Sequence, residues 1–292
     1  MAIGLIDIGG TTIKFGCWIK GQLITDQAVA TPASLTAFYQ ILTAKITAMK
    51  QQYGITGVSI SSPGAVNQKT GIIGSFSAVP YIHNFDILSE FKQRFQLPVA
   101  IENDANCAAL AEAADGAAKG LANVVLLAVG TGVGGAIILN GKIHHGSHLL
   151  GGEFGFMLHE NNRTVSTMGT LVNAAKRYNQ RVKPEQPLTG KQLYAAAQAG
   201  NSAAKKELQV FFTTLAKAIF NIQYCIDPDC FVISGGVSAN PALLPDLQTA
   251  IKQVTKSVKI APLTPKICIA HYQAEANLRG AAVNYSQQFH AN

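Results

Sequence analysis

The N-terminal part of the chain alternates short apolar segments with glycine-containing turns. Ala2–Ile8 is apolar except for Asp7, and Ile13–Ile19 is rich in β-branched and aromatic residues. Turn residues separate the two segments, which is the pattern of neighbouring strands. The sequence therefore predicts a strand, a tight turn and a returning strand, followed by a third strand over Leu23–Ala30.

The same arrangement recurs in the middle of the chain. Leu126–Val129 predicts a strand, Gly130-Thr131-Gly132 a turn and Gly135–Leu139 the returning strand, and Asn140-Gly141 is a strong hairpin signal. The segments LIDIGGTTIKFGCWIKGQLI and LLAVGTGVGGAIILNGKIHH match in order and nearly in spacing. Two copies of one strand–turn–strand unit predict two similarly built lobes that face each other.

Helical and strand patterns alternate through the rest of the chain. Helical spacing of apolar residues predicts helices over Leu35–Tyr53, Ile87–Phe95, Ala105–Ala118, Gly169–Tyr178, Gly190–Ala199, Ser202–Ile226 and Ala274–Tyr285. Short apolar runs predict strands at Val58–Ser61, Val99–Glu102, Cys230–Ser234 and Ile267–Ala270. The fold class is therefore α/β. No Pro- or Ser-rich linker separates the halves, so we place the domain boundary in the Ala105–Ala118 helix.

The composition excludes several classes of protein. In 292 residues, 48% are hydrophobic and 13% charged, which suits one large or two medium domains and argues against disorder. The apolar runs are too short for a membrane helix, and no basic segment precedes the first one, so we expect neither a membrane span nor a signal peptide. The five cysteines are scattered and odd in number, as in reduced cytoplasmic proteins.

The net charge of +7 comes from 23 basic and 16 acidic residues. Lys and Arg are spread along the chain without long runs, so we do not expect a nucleic-acid partner. A moderate positive charge also suits a cleft that receives a polyphosphate.

The first glycine turn, Asp7-Ile8-Gly9-Gly10-Thr11-Thr12, places a carboxylate at the end of a strand. Glycines allow backbone N–H groups to approach an anion, and the carboxylate can hold Mg²⁺ against phosphate oxygens. A hairpin turn with purely structural glycines is an equally open interpretation. No GxxxxGK[ST] phosphate loop occurs in the sequence.

The second glycine turn, Gly130 to Gly135, also follows an apolar strand. A dinucleotide fingerprint would continue into a helix, whereas a strand and a hairpin follow here, so we reject NAD binding. Two such turns, one from each lobe, can hold a polyphosphate chain between them.

Polar residues also follow the predicted strand Val99–Glu102. In the segment ENDAN, Asp104 either caps the next helix or accepts a hydroxyl proton while Asn103 orients the substrate. Glu153 lies in the apolar glycine loop GGEFGF, where sugar hydroxyls are plausible hydrogen-bond partners.

Taken together, the ordered motifs DIGGT, SPG, ENDAN, GTGVGG, GEFG and ISGGV resemble the ROK family of sugar kinases and sugar-responsive repressors, in the actin/hexokinase-like ATPase superfamily. The resemblance covers essentially the whole chain. It implies two actin-like (ribonuclease H-like) α/β lobes with a nucleotide and sugar cleft between them. We expect an N-terminal lobe over 1–108 plus about 274–292, and a C-terminal lobe over about 109–273.

The resemblance also implies the roles of individual residues. Phosphates and Mg²⁺ are assigned to Asp7, Gly9, Gly10, Thr11 and Thr12, with Asp7 on the metal directly or through water. The other lobe contributes Gly130, Thr131 and Gly132 to the phosphates, and Gly235 and Gly236 to the adenosine. The substrate-binding residues are Gly64, Asn84, Asn103, Asp104 and Glu153, with Asp104 as catalytic base.

The chain departs from the usual family pattern after Glu153. Phe156 stands where the family usually has a zinc-binding histidine, and Leu158–Leu171 contains no cysteine. Because tetrahedral zinc needs four ligands, we expect no zinc site. Ser166 or Thr167 is then a candidate for the side of the sugar that the histidine would face. This variant resembles zinc-less members of the family, among them bacterial β-glucoside kinases.

The resulting expectation is an ATP- and Mg²⁺-dependent kinase that phosphorylates a primary (6-) hydroxyl of a hexose or a β-glucoside. N-acetylmannosamine kinase, glucokinase and fructokinase activities are alternatives within the family. A sugar-responsive regulator is the alternative from another class, but only six residues precede Asp7, which leaves no room for a DNA-binding domain. The resemblance implies a homodimer, and we expect no membrane partner.

Overall fold

The computed structural model describes residues 2–74 and 77–289. The chain forms two compact units. The first unit comprises Met1–Gly116, His145–Leu150 and Ala274–Asn292, and the second comprises Ala117–His144 and Gly151–Gln273. No helix in the described part of the chain is long and apolar enough to span a membrane.

The first unit contains a five-stranded sheet with helices on both faces. The strands of this sheet are β1 (Ala2–Ile8), β2 (Thr12–Ile19), β3 (Gln22–Ala30), β4 (Gly57–Ser62) and β7 (Val99–Asn103). The short strands β5 (Ala65–Val66) and β6 (Ile73–Gly74) of the same unit pair with each other. Its helices are α1 (Leu35–Tyr53), α2 (Ile87–Phe95), α3 (Asp104–Asp115) and the C-terminal α9 (Ala276–Phe289), numbered in chain order.

The strand order in this sheet is β3-β2-β1-β4-β7. The β1 strand is antiparallel to β2 and parallel to β4, and β4 is parallel to β7. The register pairs Asp7 with Ser61 and Ser62 with Asn103. The carboxyl ends of β1, β4 and β7 therefore bring polar residues to one edge of the sheet, where α/β proteins commonly bind ligands.

The second unit repeats this topology. Its strands are β8 (Val124–Val129), β9 (Val133–Leu139), β10 (Lys142–Ile143), β11 (Cys230–Ser234) and β12 (Ile267–Ile269), in the sheet order β10-β9-β8-β11-β12. Its helices are α4 (Val165–Met168), α5 (Leu171–Val182), α6 (Gly190–Gln198), α7 (Ser202–Ile226) and α8 (Leu243–Ser257). The two sheets have equivalent strand orders, so the duplication predicted from the two glycine turns is confirmed.

Apolar faces of the helices cover each sheet. In the first unit, Phe38 of α1 and Phe91 of α2 are fully buried in one cluster with Phe15, while Leu278 of α9 belongs to the cluster on the other face. In the second unit, Phe211 of α7 is buried in the same cluster as residues of β8 and β11. Within each helix the buried positions recur with helical spacing, and this spacing made the helices predictable from the sequence.

The division between the units differs from the expected boundary near residue 108. Helix α3 lies wholly in the first unit because it packs against α9 over many residues. The approach is so close that a Cβ at Gly280 would overlap the carbonyl oxygen of Cys107. The segment His145–Leu150 also belongs to the first unit, which the sequence did not indicate.

Three predicted helices, Leu35–Tyr53, Ile87–Phe95 and Ser202–Ile226, are confirmed to the residue. The prediction of one helix over Gly169–Tyr178 is wrong at its start. Thr170 caps α5 by accepting a hydrogen bond from the backbone N–H of Asn173, and Gly169 separates α4 from α5. Apolar periodicity alone does not reveal such a break.

Candidate active site

Asp7 is the penultimate residue of β1 and is itself 5% exposed. Its Oδ1 accepts hydrogen bonds from Ser61 Oγ (2.8 Å) and Asn277 Nδ2 (3.0 Å). Lys14 Nζ lies 3.5 Å from its Oδ2. These three donors hold the carboxylate in one orientation, which suits a group that binds Mg²⁺ through water.

Sequence reasoning missed these three partners of Asp7. Lys14 had a detectable signal, because it is the cross-strand partner of Asp7 in the predicted hairpin. Asn277 had none, because it lies at the other end of the chain.

The first glycine turn is tightly built. The backbone N–H of Gly9 donates to the carbonyl of Thr12 (3.1 Å), and a Cβ at Gly9 would lie 2.7 Å from that oxygen. A Cβ at Gly10 would overlap the side chain of Ala78. Thr11 and Thr12 are exposed. The glycines are therefore sterically required here, and the turn presents two hydroxyl side chains at its surface.

Asn103, and not Asp104, caps helix α3. Asn103 Oδ1 accepts hydrogen bonds from the backbone N–H groups of Ala105 (2.9 Å) and Asn106 (3.1 Å). Asn103 Nδ2 donates to the carbonyl of Gly64 (3.0 Å). The side chain expected to orient a substrate thus has a structural role, and it links the ENDAN segment to the SPG segment.

Asp104 is the first residue of α3 and is partly buried. Its Oδ1 accepts a hydrogen bond from the backbone N–H of Ala105 (2.8 Å). The interpretation of Asp104 as the N-cap is wrong, because Asn103 occupies that position. The Asp104 carboxylate therefore follows β7 without being needed to cap the helix.

The loop that follows the SPG segment brings Gly64 and Asn84 to the same unit as Asp104. Gly64 has φ of +95°, and a Cβ there would lie 2.8 Å from Ile73 Cγ2, so glycine is required. Asn84 also has positive φ, and its exposed side chain lies beside Phe85, which packs against the core. Tyr81 donates a hydrogen bond to the carbonyl of Pro32 (2.6 Å). The aromatic residues Tyr81 and Phe85 of this loop therefore pack inward.

Ser75 and Phe76, at the start of that loop, lie outside the described residues. His83 Nε2 and Ser77 Oγ, just beyond them, are 2.7 Å apart.

Glu153 lies in the second unit, immediately before a short turn of 3₁₀ helix. Burial raises the pKa of its carboxyl above the usual glutamate range. In the described part of the chain, no donor lies within hydrogen-bond distance of this carboxylate. Partly burying a carboxylate without a protein donor costs free energy of folding. Such a group is typical of a site where a ligand supplies the hydrogen bonds.

The segment after Glu153 exposes two apolar side chains. Phe156 is 68% exposed and Leu158 is 70% exposed. The hydroxyls of Ser166 and Thr167 are already engaged, since Ser166 Oγ accepts from Val133 N (2.9 Å) and Thr167 Oγ1 lies 2.9 Å from Thr164 Oγ1. Neither residue is therefore a good candidate to replace the missing histidine.

The second glycine turn opens onto a cavity of about 630 Å³ within the second unit. Gly130, Thr131 and Gly236, which were assigned to the nucleotide, line this cavity. Gly235 does not line it, but with φ of +87° it lies so close to β8 that a Cβ would be 2.5 Å from the carbonyl oxygen of Val129. Gly132 closes the turn by accepting from Gly130 N (2.9 Å).

Helices α5 and α6 form another part of the cavity wall. Leu171 and Val172 give it apolar surface, and Lys191, Tyr194 and Gln198 give it polar groups. Tyr194 is held by a hydrogen bond to Asp246, and burial raises its pKa. Sequence reasoning missed this wall, because these residues belong to ordinary amphipathic helices without a motif.

No group of three or more His, Cys, Asp or Glu side chains that could hold a metal ion occurs among residues 2–74 and 77–289. His159, the imidazole in the segment that replaces the cysteine-rich loop, has its pKa lowered by burial.

The model of the ROK family matches residues 3–288 of this chain. The chain belongs to the ROK family. It is 30% identical over 297 residues to a β-glucoside kinase of Listeria monocytogenes, covering 99% of this chain and 98% of that protein. It is also 30% identical over 296 residues to an N-acetyl-D-glucosamine kinase of Escherichia coli, covering 94% and 96% of the two chains.

The solved structures include a ROK family protein of Streptococcus pneumoniae in complex with sucrose. It is 36% identical to this chain, covers 99% of both chains and superposes with a TM-score of 0.90. The two α/β units therefore have the actin-like fold of ROK proteins, and the expected fold class is confirmed. Because relatives that match over nearly their whole length are named as sugar kinases, this ROK protein is a sugar phosphotransferase.

Proposed function

We propose that this protein transfers the γ-phosphoryl group of ATP to the primary 6-hydroxyl of a hexose or β-glucoside. One arrangement in the first unit supports this most directly. The oriented carboxylate of Asp7 and the helix-terminal carboxylate of Asp104 follow parallel strands of one sheet and lie at the same edge. Phosphoryl transfer needs one acidic group for a metal–phosphate complex and another for the attacking hydroxyl.

We assign ATP to the two glycine turns and to the cavity in the second unit. Gly9, Gly10, Thr11 and Thr12 offer backbone and hydroxyl groups to phosphates, and so do Gly130, Thr131 and Gly132. The cavity, with Gly236 in its wall, is large enough for a nucleoside. When bound, Mg²⁺ would neutralise charge on the phosphate oxygens, and Asp7 is the residue that would hold it.

In the proposed reaction, the 6-hydroxyl oxygen forms a bond to the γ-phosphorus while the bond from that phosphorus to the β-phosphate oxygen breaks. Asp104 accepts the hydroxyl proton, and ADP leaves with the electrons of the broken bond. Asn103 sets the position of Asp104 by capping α3. Glu153 accepts hydrogen bonds from sugar hydroxyls, and Gly64 and Asn84 border the sugar.

We infer that β-glucosides are the preferred sugars. The Listeria relative is named as a β-glucoside kinase. The Streptococcus relative is in complex with sucrose, an α-glucoside, which supports room for a second sugar ring but not the β-linkage. The exposed ring of Phe156 offers apolar surface for a second sugar or an aglycone. A monosaccharide such as N-acetylmannosamine, glucose or fructose is the alternative substrate. The Escherichia coli relative, an N-acetyl-D-glucosamine kinase, favours an amino sugar as that monosaccharide.

A coupled ADP-release assay over glucose, N-acetylmannosamine, N-acetylglucosamine, fructose, cellobiose and gentiobiose tests the sugar. We expect kcat/KM for cellobiose or gentiobiose to be at least comparable to that for glucose. Phe156→His should shift that ratio roughly threefold to tenfold toward the monosaccharide, because apolar contacts discriminate modestly. Leu158→His, two residues on and equally exposed, is the matched control and should leave the ratio unchanged.

Turnover of monosaccharides alone, with disaccharides that neither react nor compete, would contradict the β-glucoside assignment. The sugar-kinase assignment would still stand.

We further infer a cytoplasmic location and a homodimer. The five cysteines are free thiols, as a reducing compartment would keep them. The dimer rests on the family resemblance.

A further inference from the structure

Glu102, next to the proposed catalytic segment, is a buried carboxylate with an elaborate set of donors. It is 1% exposed. Its Oε1 accepts from the backbone N–H of Asn103 (2.6 Å) and from Asn106 Nδ2 (2.9 Å). Its Oε2 accepts from Gln68 Nε2 (2.6 Å) and lies 2.7 Å from His145 Nε2. One carboxylate thus joins β7, the first turn of α3, the loop after β5 and the segment His145–Leu150.

A charge this deeply buried is tolerated only when its hydrogen bonds are complete. Among these donors, His145 is the one that can carry a positive charge. Because a carboxylate oxygen accepts hydrogen bonds, we assign Nε2 of His145 as the donor of this pair. The Glu102 carboxylate in turn raises the pKa of the half-buried His145 imidazole.

The carboxylate that receives His145 at Oε2 also fixes, through Oε1, the groups proposed for catalysis. Glu102 Oε1 holds the backbone N–H of Asn103, whose side chain caps α3. Asp104 is the next residue and begins that helix. Rotation of the Glu102 carboxylate would therefore disturb the bonds that orient the Asp104 backbone.

The position of His145 in the chain is also informative. The segment His145–Leu150 belongs to the first unit, whereas the residues before and after it belong to the second. Glu153, proposed to bind the sugar, follows soon after this segment. His145 anchors the start of the segment to Glu102.

We propose that His145 is a positioning residue for phosphoryl transfer. By completing the hydrogen bonds of Glu102, it fixes the first turn of α3 and the direction of the Asp104 carboxylate toward the sugar hydroxyl. This inference rests on the proposed role of Asp104 as base. A purely structural tie for the segment His145–Leu150 is the alternative, and it predicts lower stability without a specific loss of transfer.

Steady-state kinetics of matched variants separates the positioning role of His145 from a purely structural tie. We expect His145→Ala to lower kcat/KM for the sugar roughly tenfold, as for loss of a charged hydrogen bond, while KM for ATP changes little. His145→Gln keeps a donor where Nε2 stands and should recover most of the activity, whereas the shorter His145→Asn should not. His148→Ala, an exposed histidine of the same segment, should stay within about twofold of the wild type.

Amide hydrogen exchange gives a readout that does not need activity. The N–H groups of Ala105 and Asn106, which donate to Asn103 Oδ1, should exchange at least roughly tenfold faster in His145→Ala than in His148→Ala. If the alanine variant does not fold, the Gln and Asn variants carry the same comparison.

If the wild type transfers phosphate to no sugar, the proposed function fails, while the exchange data still decide whether His145 holds the turn. Unchanged exchange would overturn the proposal. So would faster exchange with full activity, or a Gln variant as impaired as the Asn variant.

Discussion

Asp104 carries the proposed proton transfer, and its environment supports that role. The carboxylate lies at the start of α3, and its neighbour Asn103 supplies the cap. A residue that is not needed as a cap can be replaced without dismantling the helix. A substitution of Asp104 therefore tests its role in proton transfer without removing the helix cap.

Asp104→Asn should lower kcat by roughly 10²–10⁴-fold, because the amide cannot accept the hydroxyl proton. The melting temperature should change little. Asp115→Asn, at the exposed C-terminal end of the same helix, is the matched control and should keep wild-type kcat. More than half of the wild-type kcat in Asp104→Asn would remove this residue from the base role.

Glu153, proposed to bind the sugar, lowers the free energy of unfolding at neutral pH. Burial raises the pKa of its carboxyl in the folded state above the unfolded value. The folded protein therefore binds more protons, so the stability associated with Glu153 is present below its unfolded pKa. That stability is lost as the pH rises through the folded pKa.

Glu153→Gln should consequently raise the melting temperature at neutral pH and flatten its dependence on pH in the weakly acidic range. The same change should raise KM for the sugar roughly tenfold, since a charged acceptor is lost. Thermal unfolding at several pH values, together with sugar kinetics, measures both effects. A lower melting temperature at neutral pH would contradict the account of a partly buried carboxylate whose pKa is raised by burial.

At the scale of elements, amphipathic helices and glycine turns were readable in the sequence, whereas long-range partners were not. Helix α7 was predicted to the residue because its buried positions recur with helical period. The contact of Asn277 with Asp7 joins opposite ends of the chain, and no local pattern encodes it. Likewise, Lys191 and Tyr194 became part of the candidate nucleotide cavity only when α6 was placed beside the glycine turn.

The crossing of α3 and α9 makes a sharp prediction about packing. Gly280 lets α9 approach the backbone of Cys107, and a Cβ there would overlap its carbonyl oxygen. Gly280→Ala should therefore destabilise the protein by about 1–3 kcal/mol or more, measured by denaturant unfolding. Gly134→Ala, where a Cβ meets no atom within 4 Å, is the control and should cost far less.

At the scale of the whole molecule, the duplicated sheet was predictable because both copies kept the strand–glycine turn–strand pattern. The order of the motifs was enough to identify the family, and the comparisons confirmed it. The sugar was not predictable to the same degree. The exposed ring of Phe156, proposed to contact the sugar, carries no general code for one sugar.

The absence of cysteines from Leu158–Leu171 leads to a prediction for the intact protein. The purified enzyme should contain no stoichiometric zinc, because four tetrahedral ligands are not available in that segment. Zinc chelators should leave it active when Mg²⁺ is supplied. Elemental analysis is the measurement, and about one zinc per chain would contradict the prediction.

The central claim is ATP-dependent transfer of phosphate to a sugar 6-hydroxyl, and nuclear magnetic resonance of the reaction products tests it most directly. The wild-type protein, Mg²⁺, ATP and the sugar that releases most ADP are incubated together, with Asp104→Asn as the parallel sample. The account predicts a phosphomonoester coupled to the two C6 protons of the sugar, formed in step with ADP by the wild type alone. ADP formed without any sugar phosphate, or a phosphate on another hydroxyl, would contradict it.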